Sequence, residues 1–150
     1  MATGSERVES FELGTSVGHL LRRCNQRSRL VYEKHLGRTG ISRQQLALMI
    51  SISQNPKMTY SQLSVVSAFE RNTLADMIER LIRTGVVSKQ QSANDGRAYE
   101  VEITDKGKAF LEGAIREVEQ VQQEILHSIP QESRDEFLRC LRLIADIEMP

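Results

Sequence analysis

The sequence has no tryptophan and only two cysteines, Cys24 and Cys140. Two thiols are too few for a disulfide framework, and they fit a reducing compartment. No apolar run approaches the roughly 20 residues that a membrane-spanning helix needs. The segment from Met1 to Ser10 also lacks the apolar core of a secretory signal. We therefore expect a cytoplasmic protein with no membrane partner.

Groups that carry out chemistry are also scarce. The three histidines, His19, His35 and His127, are scattered, and no two of them lie at metal-ligand spacing with a carboxylate or thiolate. The sequence contains no glycine-rich phosphate loop. We expect no catalytic residues, no metal ligands and no cofactor, and hence a protein that is not an enzyme.

The net charge is zero, but the charges are unevenly distributed. From Arg38 to Arg97 there are eight Lys/Arg and four Asp/Glu, a balance of +4. From Glu112 to Pro150 there are four Arg and nine Asp/Glu, a balance of −5. A basic middle with an acidic tail is typical of a DNA-binding protein, although such runs can also be solvated helix faces.

The stretch from Met58 to Thr104 has the pattern of two helices followed by a hairpin. Thr59 and Gln62 have the spacing of a capping box, which opens the first helix. The second helix, from Glu70 to Arg83, is predicted to place one apolar stripe inward and Met77 with the polar residues on other faces. That predicted stripe consists of Leu74, Ile78, Leu81 and Ile82. Gly85 is suited to end this helix.

The hairpin is predicted from two segments that alternate with a period of two, Val86–Gln90 and Tyr99–Ile103. Asn94-Asp95-Gly96 supplies the turn between them. Two helices and a hairpin in this order make a winged helix-turn-helix, whose second helix fits the DNA major groove. The predicted fold class is mainly α with a small β-hairpin wing.

Amphipathic helices are predicted on both sides of this stretch. They run from Glu9 to about Gly37, from the Ser42–Gln45 capping box to Asn55-Pro56, from Thr104 to about Leu126, and from about Gln131 to Glu148. A single chain of this size has trouble burying the three stripes of the first helix and the last two helices, which favours burial against a second copy over a monomer with an ordinary helical core. We expect one domain over 1–150, with 38–104 as the winged part and 9–37 and 105–149 as a helical dimerisation region.

Several motifs in order resemble the MarR family of bacterial transcriptional regulators. They are Ile41–Leu46, Arg71-Asn72-Thr73, Arg80-Leu81, Gly85-Val86-Val87, the wing tip Asp95-Gly96-Arg97-Ala98, and Ile103–Gly107. The resemblance covers roughly the whole chain. It implies a winged helix-turn-helix and a two-fold dimer made by the first and last helices. It also implies a ligand site between the dimer helices and the winged part, with anionic aromatic compounds or their thioesters as frequent effectors.

A two-fold dimer presents two recognition helices about one helical turn apart, so we expect a pseudo-palindromic double-stranded operator. Asn72 and Thr73 lie where a helix start meets phosphates and base edges. Arg97 is expected to enter a narrow minor groove, held by a charge-assisted hydrogen bond that the Asp95 carboxylate accepts; a solvated turn arginine is the alternative. The predicted DNA-binding residues are Thr59, Arg71, Asn72, Thr73, Asp76, Met77, Arg80, Lys89, Asp95 and Arg97.

The recognition helix departs from the MarR pattern at Ala75 and Asp76, where many members carry a small hydroxyl residue and an arginine. The Asp76 carboxylate can accept a hydrogen bond from cytosine N4. Alternatively, it forms an i,i+4 surface pair with Arg80. Both readings remain open, and base preferences cannot be copied from relatives.

Two kinds of signal could release the DNA. Arginines on the first helix could hold the carboxylate of an aromatic acid or the phosphates of an aromatic acyl-CoA. Alternatively, they form a solvated basic face or pair with Glu33 and the acidic tail. The predicted ligand-binding residues are His19, Arg22, Arg23, Arg27 and Arg38. Alternatively, Cys24 acts as a redox-sensing thiol, although the hydroperoxide-sensing branch of the family has its cysteine nearer the helix start.

Cys140 is predicted to be a buried structural thiol, because it lies between Leu138 and Leu141. A winged-helix protein that only assembles with other proteins is a further alternative. The basic middle and Arg97 argue against it.

Overall fold

The structure, a computed structural model, describes residues 4–147. In that range the helices are Gly4–Glu9 (α1), Val17–Leu36 (α2), Arg43–Gln54 (α3), Tyr60–Ser67 (α4), Arg71–Thr84 (α5), Asp105–Leu126 (α6) and Arg134–Ile144 (α7). The strands are Met58–Thr59 (β1), Val87–Gln91 (β2) and Tyr99–Ile103 (β3). The predicted fold class, mainly α with a small wing, is confirmed. Among the described residues no helix is both long enough and apolar enough to cross a membrane.

Both predicted capping boxes are present. The Ser42 hydroxyl accepts a hydrogen bond from the backbone N–H of Gln45 at 3.2 Å, and the Gln45 side chain accepts the Ser42 N–H at 2.8 Å. Thr59 and Gln62 form the same reciprocal pair at the start of α4. These bonds satisfy N–H groups that a helix start leaves without an internal partner, so α3 and α4 begin where the sequence predicts.

The two outermost predictions need correction. A helix from Glu9 to Gly37 is wrong, because α2 begins only at Val17 and a short 3-10 turn, Leu13–Thr15, precedes it. The Thr15 hydroxyl donates to the Glu12 carbonyl at 2.9 Å, a local bond that competes with the helix. The last helix is also shorter than predicted: Gln131–Ser133 is a 3-10 turn, and α7 ends at Ile144. The predicted end at Glu148 lies outside the described residues.

The wing is a three-stranded antiparallel sheet in the order β1-β3-β2, where a two-stranded hairpin was predicted. In the pairing of β2 with β3, Val87 lies opposite Ile103 and Lys89 opposite Val101. The additional strand, β1, pairs Met58 with Val101. A strand of two residues has no periodicity to detect, which explains why the sequence did not reveal it.

The chain divides into two compact units. The central unit comprises residues 34–120 and contains the winged helix-turn-helix. Its core is built from side chains that are almost completely buried: Leu48, Met49, Ile52, Leu63, Leu74, Ile78, Leu81, Val87 and Val101. The terminal unit comprises residues 4–33 and 121–147 of the described chain.

The terminal unit leaves many large apolar side chains exposed. They are Val8, Phe11, Leu13, Val17, Leu20, Leu21, Leu30, Leu138, Leu143, Ile144 and Ile147. These are eleven of the fifteen exposed large apolar side chains in the described chain. The apolar surface left uncovered by a single chain is therefore concentrated in this unit.

Candidate nucleic-acid interface

Helix α5 has one buried face and one polar face. Leu74, Ile78 and Leu81 are fully buried, and Gly85 ends the helix in the left-handed conformation at φ 78°. Asn72, Thr73, Asp76 and Arg80 are exposed on the other sides of the helix, and Arg71 is exposed at its first position. The buried stripe thus fixes the rotation of the helix and determines which side chains face solvent.

Met77 does not lie on the polar face. It is only 9% exposed and belongs to the core, so the prediction that it flanks a DNA groove from an outer face is wrong. Met77 stands three residues after Leu74 and four before Leu81, the spacing of one helical stripe. That spacing was available in the sequence. Ile82, which was assigned to the stripe, is only half-buried.

Local hydrogen bonds orient the start of α5. The Arg71 guanidinium donates to the Ser61 hydroxyl of α4 at 2.7 Å, which ties the two helices of the motif together. The Thr73 hydroxyl donates to the Glu70 carboxylate at 3.0 Å. Thr59 is half-buried, and its hydroxyl is engaged by the capping box. Arg71 and Thr73 are thus held near the first turn of α5, while Thr59 primarily caps α4.

Asp95 fixes the backbone of the wing tip. Its side-chain oxygen accepts the backbone N–H of Arg97 at 3.0 Å, and its carbonyl accepts the N–H of Ala98 at 2.9 Å. The Asp95 carboxylate therefore holds Arg97 through its backbone N–H, which is a form of the hydrogen bond predicted between these two residues. This is the self-closing turn that Asp favours. It leaves the Arg97 side chain exposed at the end of a fixed turn.

A cluster of polar groups joins α4, α5 and the wing. The Lys89 ammonium of β2 lies 2.5 Å from the Glu79 carboxylate of α5 and 5.3 Å from the ring centre of Tyr99. The Tyr60 hydroxyl donates to the same Glu79 oxygen at 3.2 Å. The hydrogen bond from Lys89 holds the pKa of Glu79 below its usual value. Burial, with the neighbouring Glu79 carboxylate, raises the pKa of Tyr60 to about 12.

The sequence analysis missed Glu79 and Tyr60. Their partners lie ten and nineteen positions away along the chain, and no helical or strand period relates them. Lys89 was predicted as a DNA contact, but its ammonium group is hydrogen-bonded to the Glu79 carboxylate. Only the packing of the wing against α5 brings these groups together.

Asp76 and Arg80 remain apart. Both side chains are exposed, and within residues 4–147 no ion pair joins them. An i,i+4 spacing permits such a contact without requiring it. The structure therefore gives no support to the interpretation of Asp76 and Arg80 as a surface ion pair. The Asp76 carboxylate can accept a hydrogen bond from a different donor.

The predicted ligand-binding residues fall in both units. In the terminal unit, Arg22 and Arg23 of α2 are exposed and His19 is half-buried, while Arg27 lies 3.7 Å from the Glu124 carboxylate. In the central unit, Arg38 is exposed in a 3-10 turn, Gly37–Thr39. No group of three potential metal ligands occurs among the described residues.

The two cysteines are exposed. The interpretation of Cys140 as a buried thiol is wrong for the single chain. Its sulfur lies 3.6 Å from the Glu136 carboxylate one turn earlier on α7. The positions next to Cys140 in sequence, which suggested burial, point to other sides of the helix.

The central unit also contains a groove that the sequence did not reveal. It has a volume of about 330 Å³ and lies between α3 and α6. Ile50, Leu111 and Ile115 line it together with the charged side chains of Lys108 and Glu112. None of the predicted ligand-binding residues lines this groove. Its residues come from two separate helices, and their proximity depends on tertiary packing.

The family model for the transcriptional regulators SarA/Rot matches residues 31–113, more than half of the chain and most of the central unit. The chain belongs to this family of transcriptional regulators. The predicted relation to the MarR family is confirmed. This regulator family consists of DNA-binding proteins and not enzymes, which agrees with the sequence analysis.

Known regulators of this kind resemble the chain over most of its length. The transcriptional repressor NicR from Pseudomonas putida is 24% identical over 136 residues, which cover 91% of this chain and 86% of NicR. The structure of Bordetella bronchiseptica BpsR, whose DNA binding is regulated by 6-hydroxynicotinic acid, has a TM-score of 0.86 at 22% identity and covers 92% of this chain and 99% of BpsR. A mutant Escherichia coli MarR in complex with operator DNA has a TM-score of 0.80 at 23% identity, covering 85% of this chain and 92% of MarR. At these identities the two structures establish a shared fold.

Proposed function

We propose that this regulator is a cytoplasmic homodimer that represses transcription by binding a pseudo-palindromic operator. The observation that carries the proposal is the pairing of an exposed polar face on α5 with an exposed arginine at a fixed wing tip. A helix face and a hairpin tip of this kind can occupy a major groove and the adjacent minor groove.

In the proposed complex, the first turn of α5 enters the major groove. Asn72 offers its side-chain and backbone donors to phosphates and Thr73 its backbone N–H, and the helix dipole favours negative charge there. Arg71 is oriented by its bond to Ser61, and Arg80 extends from the same helix two to three turns later. Phosphate contacts set the position of the protein, whereas contacts to base edges set the sequence.

The wing tip supplies the minor-groove contact. Narrow A·T-rich minor grooves have an enhanced negative potential that attracts arginine. The Asp95 turn presents Arg97 with its backbone already ordered, which reduces the entropy lost on binding. We therefore assign Arg97 the largest single contribution among the wing residues.

Asp76 is the proposed base-reading exception on α5. A carboxylate near the groove is repelled by phosphate, but it can accept a hydrogen bond from cytosine N4. The absence of an Asp76–Arg80 ion pair in the described chain leaves this carboxylate free to do so. We infer a preference for a C·G pair opposite this position.

The dimer is proposed from the exposed apolar side chains of the terminal unit. Contiguous apolar surface of more than a few hundred Å² is rare on monomeric proteins and marks interaction sites. Leu20 and Leu21 of α2 and Leu143 and Ile144 of α7 are such residues. A second copy supplies the same apolar surface and gives the two-fold symmetry that a pseudo-palindrome needs. In this view 38–104 reads DNA, and 9–37 with 105–149 holds the copies together.

The effector is proposed to be a small anionic aromatic compound or its CoA thioester. The regulation of BpsR DNA binding by 6-hydroxynicotinic acid supports this class of effector for the chain by similarity alone. Arg22, Arg23 and Arg27 could bind carboxylate or phosphate oxygens through planar guanidinium groups. The α3–α6 groove, with apolar walls and Lys108, could hold an aromatic acid as an alternative.

Thiol oxidation is the second candidate signal, and the exposure of Cys24 favours it. An exposed thiol near arginines is accessible to peroxide. Release of DNA by peroxide that is lost in Cys24→Ser would establish this signal. Release by benzoate, benzoyl-CoA or 6-hydroxynicotinic acid that persists in Cys24→Ser would establish ligand sensing.

The experiment begins with selection of a binding duplex from a random-sequence library, followed by mass measurement of the protein and its complex by light scattering. We expect a dimer on a two-fold symmetric site. Arg97→Ala should weaken binding by about tenfold or more, whereas Arg116→Ala on α6 should have little effect. Leu20→Asp should yield monomers, whereas Val65→Asp, at an even more exposed apolar position in the central unit, should remain dimeric. An asymmetric site, or full affinity in Arg97→Ala, would refute the proposal.

A further inference from the structure

The cluster of Tyr60, Glu79, Lys89 and Tyr99 connects every element that faces the proposed DNA site. Tyr60 belongs to α4, Glu79 to α5, and Lys89 and Tyr99 to neighbouring strands of the wing. Glu79 is at its centre, because one carboxylate oxygen accepts hydrogen bonds from both Lys89 and Tyr60. Beside the apolar contacts of the core, the wing and the helix-turn-helix are therefore also joined by hydrogen bonds to one acidic side chain.

Strand geometry explains why Lys89 reaches α5. Side chains alternate between the two faces of a strand, so Lys89 shares a face with Val87, two residues earlier. Val87 is buried, and so is Val101, the residue paired with Lys89 across the strands. This face packs on the central core. Lys89 is the next position along that face towards the tip, where the exposed part of the sheet begins.

The surroundings of Lys89 restrict it further. Its ammonium group is 5.3 Å from the ring centre of Tyr99, within the range of a cation–π contact. The side chains of Lys89 and Glu79 retain 34% and 45% of their accessible surface, so their attraction is screened in part. Hydrogen bonds from two donors on different elements nevertheless give Glu79 a defined geometry. This arrangement suits a joint between elements better than a free phosphate contact.

We propose that Glu79 is a positioning residue that sets the wing against the recognition helix. Lys89 acts through Glu79 and does not serve as a DNA phosphate contact. This inference extends the proposed DNA binding, since the distance between α5 and Arg97 determines whether both can reach their grooves together. A loose wing would lose entropy on binding that a fixed wing does not.

Glu79→Gln should change the DNA affinity in one direction if Glu79 acts only through its charge, and in the opposite direction if it positions the wing. If electrostatics alone matters, removing a negative charge from a DNA-facing helix strengthens binding, because phosphate repulsion falls. If Glu79 positions the wing, the same change weakens binding, since the charged hydrogen bond to Lys89 is lost. We expect binding of the selected duplex to weaken by about three- to tenfold, as coupling through a partly exposed pair would allow.

Two further variants separate the roles of the partners. Asp76→Asn is the matched control, because it removes a carboxylate from the same helix without an ion-pair partner; its affinity for non-specific duplex DNA should rise. Lys89→Met keeps the apolar stem but removes the charge. If Lys89 contacts a phosphate, this variant releases about one counterion fewer per subunit, and the dependence of log affinity on log salt concentration becomes less steep. If Lys89 only positions the wing, that dependence is unchanged.

A measurement without DNA keeps this inference separate from the proposed function. Amide hydrogen exchange in β2 and β3 should quicken in Glu79→Gln and in Lys89→Met and stay unchanged in Asp76→Asn. Exchange should recover when Glu79→Lys is combined with Lys89→Glu, relative to Glu79→Lys alone. Unchanged wing exchange in Glu79→Gln, or tighter DNA binding by that variant, would overturn the positioning role. Failure to select any duplex would instead count against the proposed function.

Discussion

Gly107 should tolerate no side chain, although it lies inside a helix where alanine is normally preferred. A Cβ atom added there would lie 2.2 Å from the carbonyl oxygen of Val86 and 2.9 Å from Cγ2 of Ile103. The Val86 carbonyl is fixed in turn, because it accepts the backbone N–H of Thr104 at 3.1 Å. The methyl group can be accommodated only if the backbone moves.

The expected free-energy change follows from two opposing terms. Replacing glycine by alanine in a helix interior stabilises it by about 1 kcal/mol. Overpacking against fixed neighbours costs roughly 1–3 kcal/mol, and a contact with backbone falls at the upper end. We expect Gly107→Ala to destabilise the protein by about 1–2 kcal/mol net.

Gly113 on the same helix provides the matched control. No atom lies within 4 Å of the Cβ position there, so Gly113→Ala should stabilise the protein by up to about 1 kcal/mol. Urea unfolding at one fixed protein concentration measures both variants, since the proposed dimerisation would make stability depend on concentration. Equal or increased stability of Gly107→Ala would refute the close approach of α6 to Val86.

Three further changes test local features. Asp95→Asn should retain most of the DNA affinity, because its amide oxygen can still accept the Arg97 N–H, whereas Asp95→Ala should bind DNA several-fold more weakly. A DNA titration measures both variants, and equal losses of affinity would indicate a role for the Asp95 charge. Ser42→Ala should lower the free energy of unfolding by about 1 kcal/mol through loss of the cap, as measured by urea denaturation. Tyr60, whose folded pKa is about 12 against 10.0, favours folding most below pH 10 and loses this contribution as the pH rises towards 12. Tyrosinate absorbance should therefore lose its highest-pH transition in Tyr60→Phe, and an unchanged titration would contradict the assignment.

The features that local rules govern were predictable from the sequence. The capping boxes at Ser42 and Thr59, the stop at Gly85 and strand β3 all depend on residues within a few positions of one another. Helix propensity and turn chemistry act over this range. The order of elements, and hence the winged helix-turn-helix, followed from them.

Features that depend on distant packing were not predictable in the same way. Strand β1 exists because Met58 lies beside Val101, and Glu79 gains its role from Lys89 and Tyr60. Met77 differs, since its helical spacing already matched the buried stripe and its burial could have been predicted from the sequence. The α3–α6 groove likewise depends on the spacing of two helices that no local pattern encodes.

A net charge of zero therefore says little about how such a protein meets DNA. Lys89 and Glu79 neutralise each other where the wing meets α5, so neither adds to the electrostatic attraction at the proposed interface. Within residues 4–147, Arg71, Arg80 and Arg97 form no ion pair, and their charges are not cancelled by a neighbouring carboxylate. Exposed cations within about 8 Å of a phosphate act at physiological salt, whereas acidic groups farther away are screened. The partners of each arginine, more than the total charge, determine the attraction.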